Sequence, residues 1–300
     1  MKTDKDDPNP LRRSLEPQRE FGNEMPELVE NGWSTARSLV RPAEKDLMAG
    51  WFVDHEFLVP EGANPEGQRE TVASILVNAG TTPNIVVERA LAWVDENTKH
   101  RGPFFLNWYT PGHLIPTAMR EYRERSKHMQ SATRLFLFPG QVDAETQSVS
   151  GPDAEAFVEG VQRVFSYSFL SGHAFDISTG NLYFHWPAEL RLQRACATRR
   201  ANHKFLFLDP DKFRFQGERA YSLADLLETS HAVTIITVAT EVDRDRRLCD
   251  AFQRLAESLL RPTANSETDL QTSKILRLIV VGRNASPTTS LAASGFLNTS

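Results

Sequence analysis

Cysteine is scarce in this chain: two residues, Cys196 and Cys249, stand far apart among 300. No Cys-x-x-Cys pair or Cys/His cluster surrounds either, which excludes a disulfide framework and a zinc site, and no metal is expected. Long apolar runs are missing too. None approaches the ~20 residues of a membrane-spanning helix, and Met1–Pro10 is acidic and polar rather than a secretory leader. The expectation is a soluble, cytoplasmic protein with no membrane partner. Positive charge is not in excess either. Lys and Arg number 34 against 39 Asp and Glu, a net charge of −5, which opposes whole-chain attraction to nucleic acid and makes direct DNA binding a weak option. The most basic local run, Arg199, Arg200, His203 and Lys204, reads as a solvated helix end: cations are favourable at a helix C-terminus, and the run leads into a strand.

With 40% hydrophobic residues over this length, the chain can bury a substantial core. Its texture divides it. Residues 1–25 are rich in Asp, Glu, Pro, Asn and Arg and read as a disordered arm. Residues 26–70 read as a helical extension, with segments at Trp33–Val40 and Ala43–Val53, the second carrying Leu47, Met48, Trp51 and Phe52 at helical spacing. Residues 71–283 form the main domain, interrupted by a polar insertion at Arg261–Thr272, and residues 284–300 are a Ser/Thr-rich stretch that reads as a flexible tail.

Within the main domain, short apolar runs alternate with amphipathic helical patterns. The runs are Val72–Val77, Phe104–Leu106, Leu135–Phe138, Tyr167–Leu170, Phe205–Leu208, Val233–Val238 and Leu276–Val281. They are rich in Val, Ile, Leu and Phe, as strands covered on both faces are. Helices are expected from Pro83, after Asp153 as N-cap, after Pro187, and around Leu248–Leu259. This alternation defines an α/β fold, a mostly parallel sheet flanked by helices. Such a sheet binds ligands beyond the carboxyl ends of its strands. Those ends are Asn78–Thr82, Asn107, Pro139-Gly140, Ser171-Gly172-His173 and Asp209–Lys212. The first is the most informative: Asn78-Ala79-Gly80-Thr81-Thr82 follows Ile75-Leu76-Val77 and opens a helix. A glycine there lets backbone N–H groups approach an anion, the threonine hydroxyls add donors, and the helix start supplies free N–H groups. The other reading of Gly80, Thr81 and Thr82 is helix capping alone.

The order of these turns resembles the C-terminal effector-sensing domain of the DeoR-type bacterial transcriptional repressors. That family has a strand ending in Asp-Ala-Gly-Thr-Thr, here Val77-Asn78-Ala79-Gly80-Thr81-Thr82, and another ending in Thr-Asn-Ser, here Leu106-Asn107-Trp108. Leu-Leu-Gly-Gly and a later Val-Gly-Pro resemble Leu137-Phe138-Pro139-Gly140 and Val149-Ser150-Gly151-Pro152. A Phe-Leu-Gly turn with a later Ile-Asp is similar to Phe169-Leu170-Ser171-Gly172-His173-Ala174-Phe175-Asp176, and Ala-Asp-x-x-Lys-Phe-Gly to Leu208-Asp209-Pro210-Asp211-Lys212-Phe213. The resemblance implies the fold of ribose-5-phosphate isomerase, glucosamine-6-phosphate deaminase and the CoA transferases, used to bind a phosphorylated sugar or related metabolite without turnover or cofactor. Carried over, it makes Asn78, Gly80, Thr81 and Thr82 the phosphate turn. Asn107, Gly140 and Gly151 become pocket lining, Lys212 a point charge, and Asp176 and Glu189 partners of sugar hydroxyls. No residue is assigned a catalytic role, and a homo-oligomer or protein partner would carry the signal onward.

Departures are equally specific. Asn78 stands for an Asp, Trp108 for a small residue, Pro139 for a Gly, His173 for an Asp and Gln193 for a Lys. Residues 1–70 show no helix-turn-helix with a basic recognition helix, so the chain reads as a sensor without its DNA reader. Two other functions fit the residues: an isomerase or deaminase drawing its base from Glu189, Asp176 or His173, and an interaction module whose pocket has decayed.

Overall fold

A computed structural model of the chain describes residues 42–57, 71–101, 104–126, 129, 133–143, 148–185, 187–213, 217–260, 273–282 and 287–295. The arm at 1–25, the segment Trp33–Val40 and the insertion Arg261–Thr272 lie outside them. In chain order the elements are α1 (Pro42–His55), β1 (Thr71–Val77), α2 (Thr81–Arg101), β2 (Phe104–Thr110), α3 (Leu114–Arg125), β3 (Thr133–Leu137), β4 (Gln141–Asp143), β5 (Ser148–Ser150) and α4 (Pro152–Gly160). There follow β6 (Phe165–Leu170), β7 (Ala174–Asp176), β8 (Asn181–Phe184), α5 (Pro187–Ala197), β9 (Ala201–Phe207), a 3₁₀ turn at Pro210–Lys212, β10 (Glu218–Ser222), α6 (Leu223–Glu228), β11 (Ser230–Val238), α7 (Val242–Leu259), β12 (Lys274–Val281) and β13 (Pro287–Gly295).

Each of the seven apolar runs is a strand of one eight-stranded sheet, ordered β13-β12-β11-β9-β6-β1-β2-β3. Every pairing in it is parallel except β12 with β13. Alternate residues of one strand enter different cores, which is why the runs read as continuous apolar sequence. Phe205, Phe207, Ile236, Val238, Ile279 and Val281 face α1 and α2. Leu206, Leu208, Val233, Ile235, Leu276 and Leu278 join the core beneath α6, α7 and a small antiparallel sheet of β10, β8 and β7. Leu76, Tyr109 and Phe165 meet α4 and α5.

The extension at α1 belongs to this core. Phe52 is fully buried and makes edge contacts with Phe169, Phe205 and Phe207 at 5.1, 4.7 and 5.4 Å. Two bidentate ion pairs fix the helix: Arg277 donates to Glu56 at 3.1 and 2.6 Å, and Arg89 to Asp46 at 2.7 and 2.6 Å.

Several boundaries differ from the sequence reading. Strand β2 does not stop at Leu106 but runs on to Thr110, because Trp108 and Tyr109 continue the apolar alternation and are buried on opposite faces. Helix α2 starts at Thr81, with Pro83 inside its first turn, where a missing N–H costs nothing. The N-cap of α4 is Gly151, with Pro152 at the first helical position, and Asp153 lies within the first turn. Residues 287–295 of the expected tail form β13, since the edge of β12 needs a partner for its backbone groups. His203 and Lys204 lie inside β9 and Lys204 is completely buried, so of the four basic residues only Arg199 and Arg200 follow the end of α5, with Arg200 exposed.

Candidate functional site

Strand order runs outward from β1 through β2 to β3, and then resumes on the other side of β1 with β6, β9, β11 and β12. The reversal lies between β1 and β6, and the crevice beyond their carboxyl ends is where an open α/β sheet takes a ligand. Asn78 extends the pairing there, its N–H donating to the Phe169 carbonyl at 2.9 Å. Asn78 Oδ1 accepts from Ala79 N–H at 2.9 Å, which shapes the turn into Gly80. Gly80 has φ +153, and a Cβ at that position would stand 3.9 Å from Ser171 Cβ. The turns after β1 and β6 therefore touch.

Ser171 is the hub on the β6 side. Its hydroxyl donates to the Phe207 carbonyl at 3.0 Å and accepts from Lys212 Nζ at 2.8 Å, while its carbonyl accepts from the Tyr221 hydroxyl at 3.1 Å. Burial pushes the Tyr221 phenol far above its ordinary range, so it remains a donor. Lys212 also pairs with Asp209 at 3.5 Å. Four elements thus bring a glycine turn, a helix start, a cation and a carboxylate into one contact chain. Three buried atoms around it have no hydrogen-bond partner among the described residues: Asn78 Nδ2, Thr82 Oγ1 and Asp209 Oδ1. Free donors and a free acceptor suit a ligand offering both an anionic group and hydroxyls. Thr82 is fully enclosed, and Thr81, half-buried, is the hydroxyl of this turn nearer the surface.

A second flank is reached through α2. Asn84 N–H donates to the Gly80 carbonyl at 3.2 Å, and a Cβ on Gly112 would stand 3.5 Å from Asn84 Oδ1. Gly112 bridges to Ser148 of β5, whose hydroxyl donates to the buried Glu189 of α5 at 2.9 Å. One turn further along α5, Gln193 is 2% exposed and its Oε1 has no hydrogen-bond partner among the described residues. Gly140 and Gly151 border the open end of the β4–β5 ribbon on this flank, just before Gln141 and just after its partner Ser150. Gly140 is required by packing: a Cβ would come within 2.6 Å of the Ser150 carbonyl oxygen.

Two candidates are placed elsewhere. Asn107 is the fourth residue of β2, in register with Ser74 and Arg134, not at a strand end. The end of β2 is Thr110, whose hydroxyl accepts from Gly112 N–H at 2.9 Å. The Asp176 carboxylate is engaged in the β7–β8 turn: Oδ1 accepts from Ser178 N–H and Oγ at 2.9 and 2.6 Å, and Oδ2 from Thr179 Oγ1 at 3.0 Å. It makes an Asx turn rather than a ligand contact. Trp108 is buried in the core between Phe57 and Phe169. His173 Nδ1 accepts from His185 N–H at 2.9 Å, which puts the proton of its neutral ring on Nε2. No motif in the sequence singles out Ser171, Asp209, Tyr221 or Asn84 for the site, although Ser171 and Asp209 directly follow apolar runs.

The fold and this crevice define an α/β domain with an open, mostly parallel sheet and a polar switch point. No protein-family model matches the chain, and no curated protein sequence does. Among solved structures it is similar to a ribose-5-phosphate isomerase in complex with phospho-erythronic acid (TM-score 0.34, 11% identity, 56% of this chain and 52% of that one). It is also similar to the translation initiation factor eIF-2B of Pyrococcus horikoshii OT3 (TM-score 0.31, 9% identity, 59% and 50%) and to ribose 5 phosphate isomerase A of Neisseria gonorrhoeae (TM-score 0.29, 11% identity, 56% and 52%). The chain spans about half the length of each. No helix among the described residues is long and apolar enough to cross a membrane.

Proposed function

We propose that this chain is a metabolite sensor: it binds a small phosphorylated sugar or sugar-like anion at the β1/β6 switch point and does not turn it over. The observation that carries the reading is the contact between the Gly80 turn and the Ser171–Lys212 pair, where α2 presents its N-terminus beside a lysine. An anion placed there meets unpaired N–H groups, the positive end of a 21-residue helix and an ammonium group. Asp209 Oδ1 is a ready acceptor for a hydroxyl of the same ligand. Glu189, the carboxylate an isomerase or deaminase would need as base, is held by Ser148 on the other flank, which favours binding over catalysis. The DeoR-type relation is part of the same proposal and rests on the ordered motifs, of which those at Gly80 and Lys212 lie together.

Thermal unfolding of the chain against a panel of sugar phosphates tests it, with inorganic phosphate and the unphosphorylated sugars as controls. A sugar phosphate at ~100 times its dissociation constant should add about 2.7 kcal/mol, a shift of several degrees. Thr81→Val combined with Lys212→Ala should abolish that gain and leave the fold intact. No response across the panel, or an undiminished response in the double variant, would remove the site. Conversion of the stabilising compound to product would replace the sensor by an enzyme.

A further inference from the structure

Strand β3 is an outer strand of the eight-stranded sheet: it pairs with β2 on one side and, among the described residues, with no strand on the other. An open edge presents unpaired N–H and C=O groups, and proteins guard such edges with lysine, proline or bulges. Thr133-Arg134-Leu135-Phe136-Leu137 has no lysine or proline, and its register with β2 is unbroken. Its exposed side chains are one charged residue, Arg134, and the apolar Phe136 and Leu137. Of the seven exposed large apolar side chains among the described residues, two lie on this strand, Phe136 at 36% and Leu137 at 38%, and two more on the elements that flank it in the chain, Val142 of β4 at 51% and Leu114 at the start of α3 at 39%. A groove of about 260 Å³ runs between α3 and β3, lined by Pro116, Met119 and Leu135, with Arg120, Arg123 and Glu124 among its walls.

We propose that this edge is a dimer interface, occupied by a second copy of the chain whose β3 pairs antiparallel with this one about a two-fold axis at Leu135. The strand is self-complementary in that register. Leu135 lies opposite Leu135 of the second copy, Thr133 opposite Leu137, and Arg134 opposite Phe136, which sets a guanidinium beside an aromatic ring twice over. Phe136 is pre-ordered for this contact by its stack on Tyr109, with ring centroids 4.4 Å apart and planes 6° from parallel. The helices above the edge match by charge. Both signs alternate along α3 at Arg120, Glu121, Arg123, Glu124 and Arg125, so an antiparallel copy brings arginine to glutamate across the groove. A two-fold contact needs this self-complementarity, whereas an unlike partner would not require it. Joining the edges makes one continuous sheet and closes both grooves.

Sedimentation equilibrium of the full chain reads the mass, and a cysteine cross-link reads the register. The expected results are a dimer for the natural sequence and a dissociation constant at least ~10-fold weaker for Leu137→Glu. In a Cys249→Ser background, Leu135→Cys should be captured as a covalent dimer by a thiol reagent spanning about 5 Å. Val242→Cys, 84% exposed at the start of α7, serves as the control and should not be captured. A monomeric natural chain, an unchanged dimer in Leu137→Glu, or equal capture at positions 135 and 242 would each overturn the proposal. The cross-link decides the matter even if the charged variant folds poorly.

Discussion

At the base of the sheet, where the parallel strands begin, Lys204 is fully enclosed and, among the described residues, its ammonium forms no ion pair. It donates to the Ala197 carbonyl at 2.6 Å, to the Leu226 carbonyl at 3.2 Å and to the Thr229 hydroxyl, and so gathers the C-terminal ends of α5 and α6. At the crown, where the strands end, Lys212 is 18% exposed and pairs with Asp209 and Ser171 beside the Gly80 turn. The same residue type is a strut in one place and an addressable charge in the other. The difference lies in what surrounds each: helix ends that need donors, or a crevice with unpaired polar atoms.

Removing the strut should do the most damage. Lys204→Met keeps the stem's packing but strips two buried carbonyls and a hydroxyl of their donor, and should cost about 4 kcal/mol in urea unfolding at a pH near 10.5, where the amine carries little desolvation penalty, and less at neutral pH, where the variant also removes a buried charge. A loss under ~1 kcal/mol would mean that the three contacts do not hold the base together. Next in size is the crown's backbone. Gly140→Ala drives a Cβ to 2.6 Å from the Ser150 carbonyl oxygen at φ +138, which should cost about 3 kcal/mol. Gly151→Ala, at φ +100 with open space around it, should cost about 1–2 kcal/mol. Equal effects would show that conformation alone, not contact with β5, matters at Gly140.

A pH series sharpens the contrast further. Burial, with Lys274 nearby, pushes the Lys204 ammonium down to about 7 from 10.5, against the opposing pull of Asp225 and Glu228. Between those values the unfolded chain holds a proton that the folded chain has lost, so stability rises with pH. The slope is at most about 1.4 kcal/mol per pH unit, and the gain present above 10.5 is gone below 7. Lys204→Met should flatten this window. Lys274, which burial also holds below its usual range, leaves a smaller slope of the same sign. His203 acts in a separate window. Burial lowers it to about 3 from 6.5, so its contribution is complete above 6.5 and lost as pH falls towards 3.

The sheet was legible because burial on both faces writes seven unbroken apolar runs into the sequence, and the β1 turn was legible because a glycine and two threonines follow one of them. What was hidden follows from physics acting outside those patterns. A single lysine within the β9 segment reads as solvent-facing until the ends of two helices, remote in sequence, close over it. Asn107 carried a motif, yet the aromatic pair after it prolongs the strand and moves the true end to Thr110. β13 has the Ser, Thr and Ala composition of a tail and becomes a strand only because β12 offers an edge. Asp176 had the chemistry for a sugar hydroxyl, but Ser178 and Thr179, two and three residues on, claim it for a local turn. Ser171 was the reverse case: a serine after a strand is commonplace, and its value comes from Phe207, Lys212 and Tyr221 converging on it.

The smallest expected effect bears most directly on the site. Without ligand, Lys212→Ala should cost less than ~1 kcal/mol, because the side chain remains partly solvated and its ion pair at 3.5 Å is loose. It leaves Ser171 anchored through the Phe207 carbonyl and Tyr221. It also leaves Asp209 without its cation in the crevice, which should weaken an anionic ligand by more than the loss of one hydrogen bond. Lys212→Gln separates these two contributions: it restores a donor to Ser171 but not the charge. If Gln recovers the resting stability yet not the ligand-induced shift, the ammonium is there for the ligand. If Ala destabilises the empty protein as much as Lys204→Met does, the crown lysine is a strut like the one at the base, and the distinction between the two ends of the sheet fails.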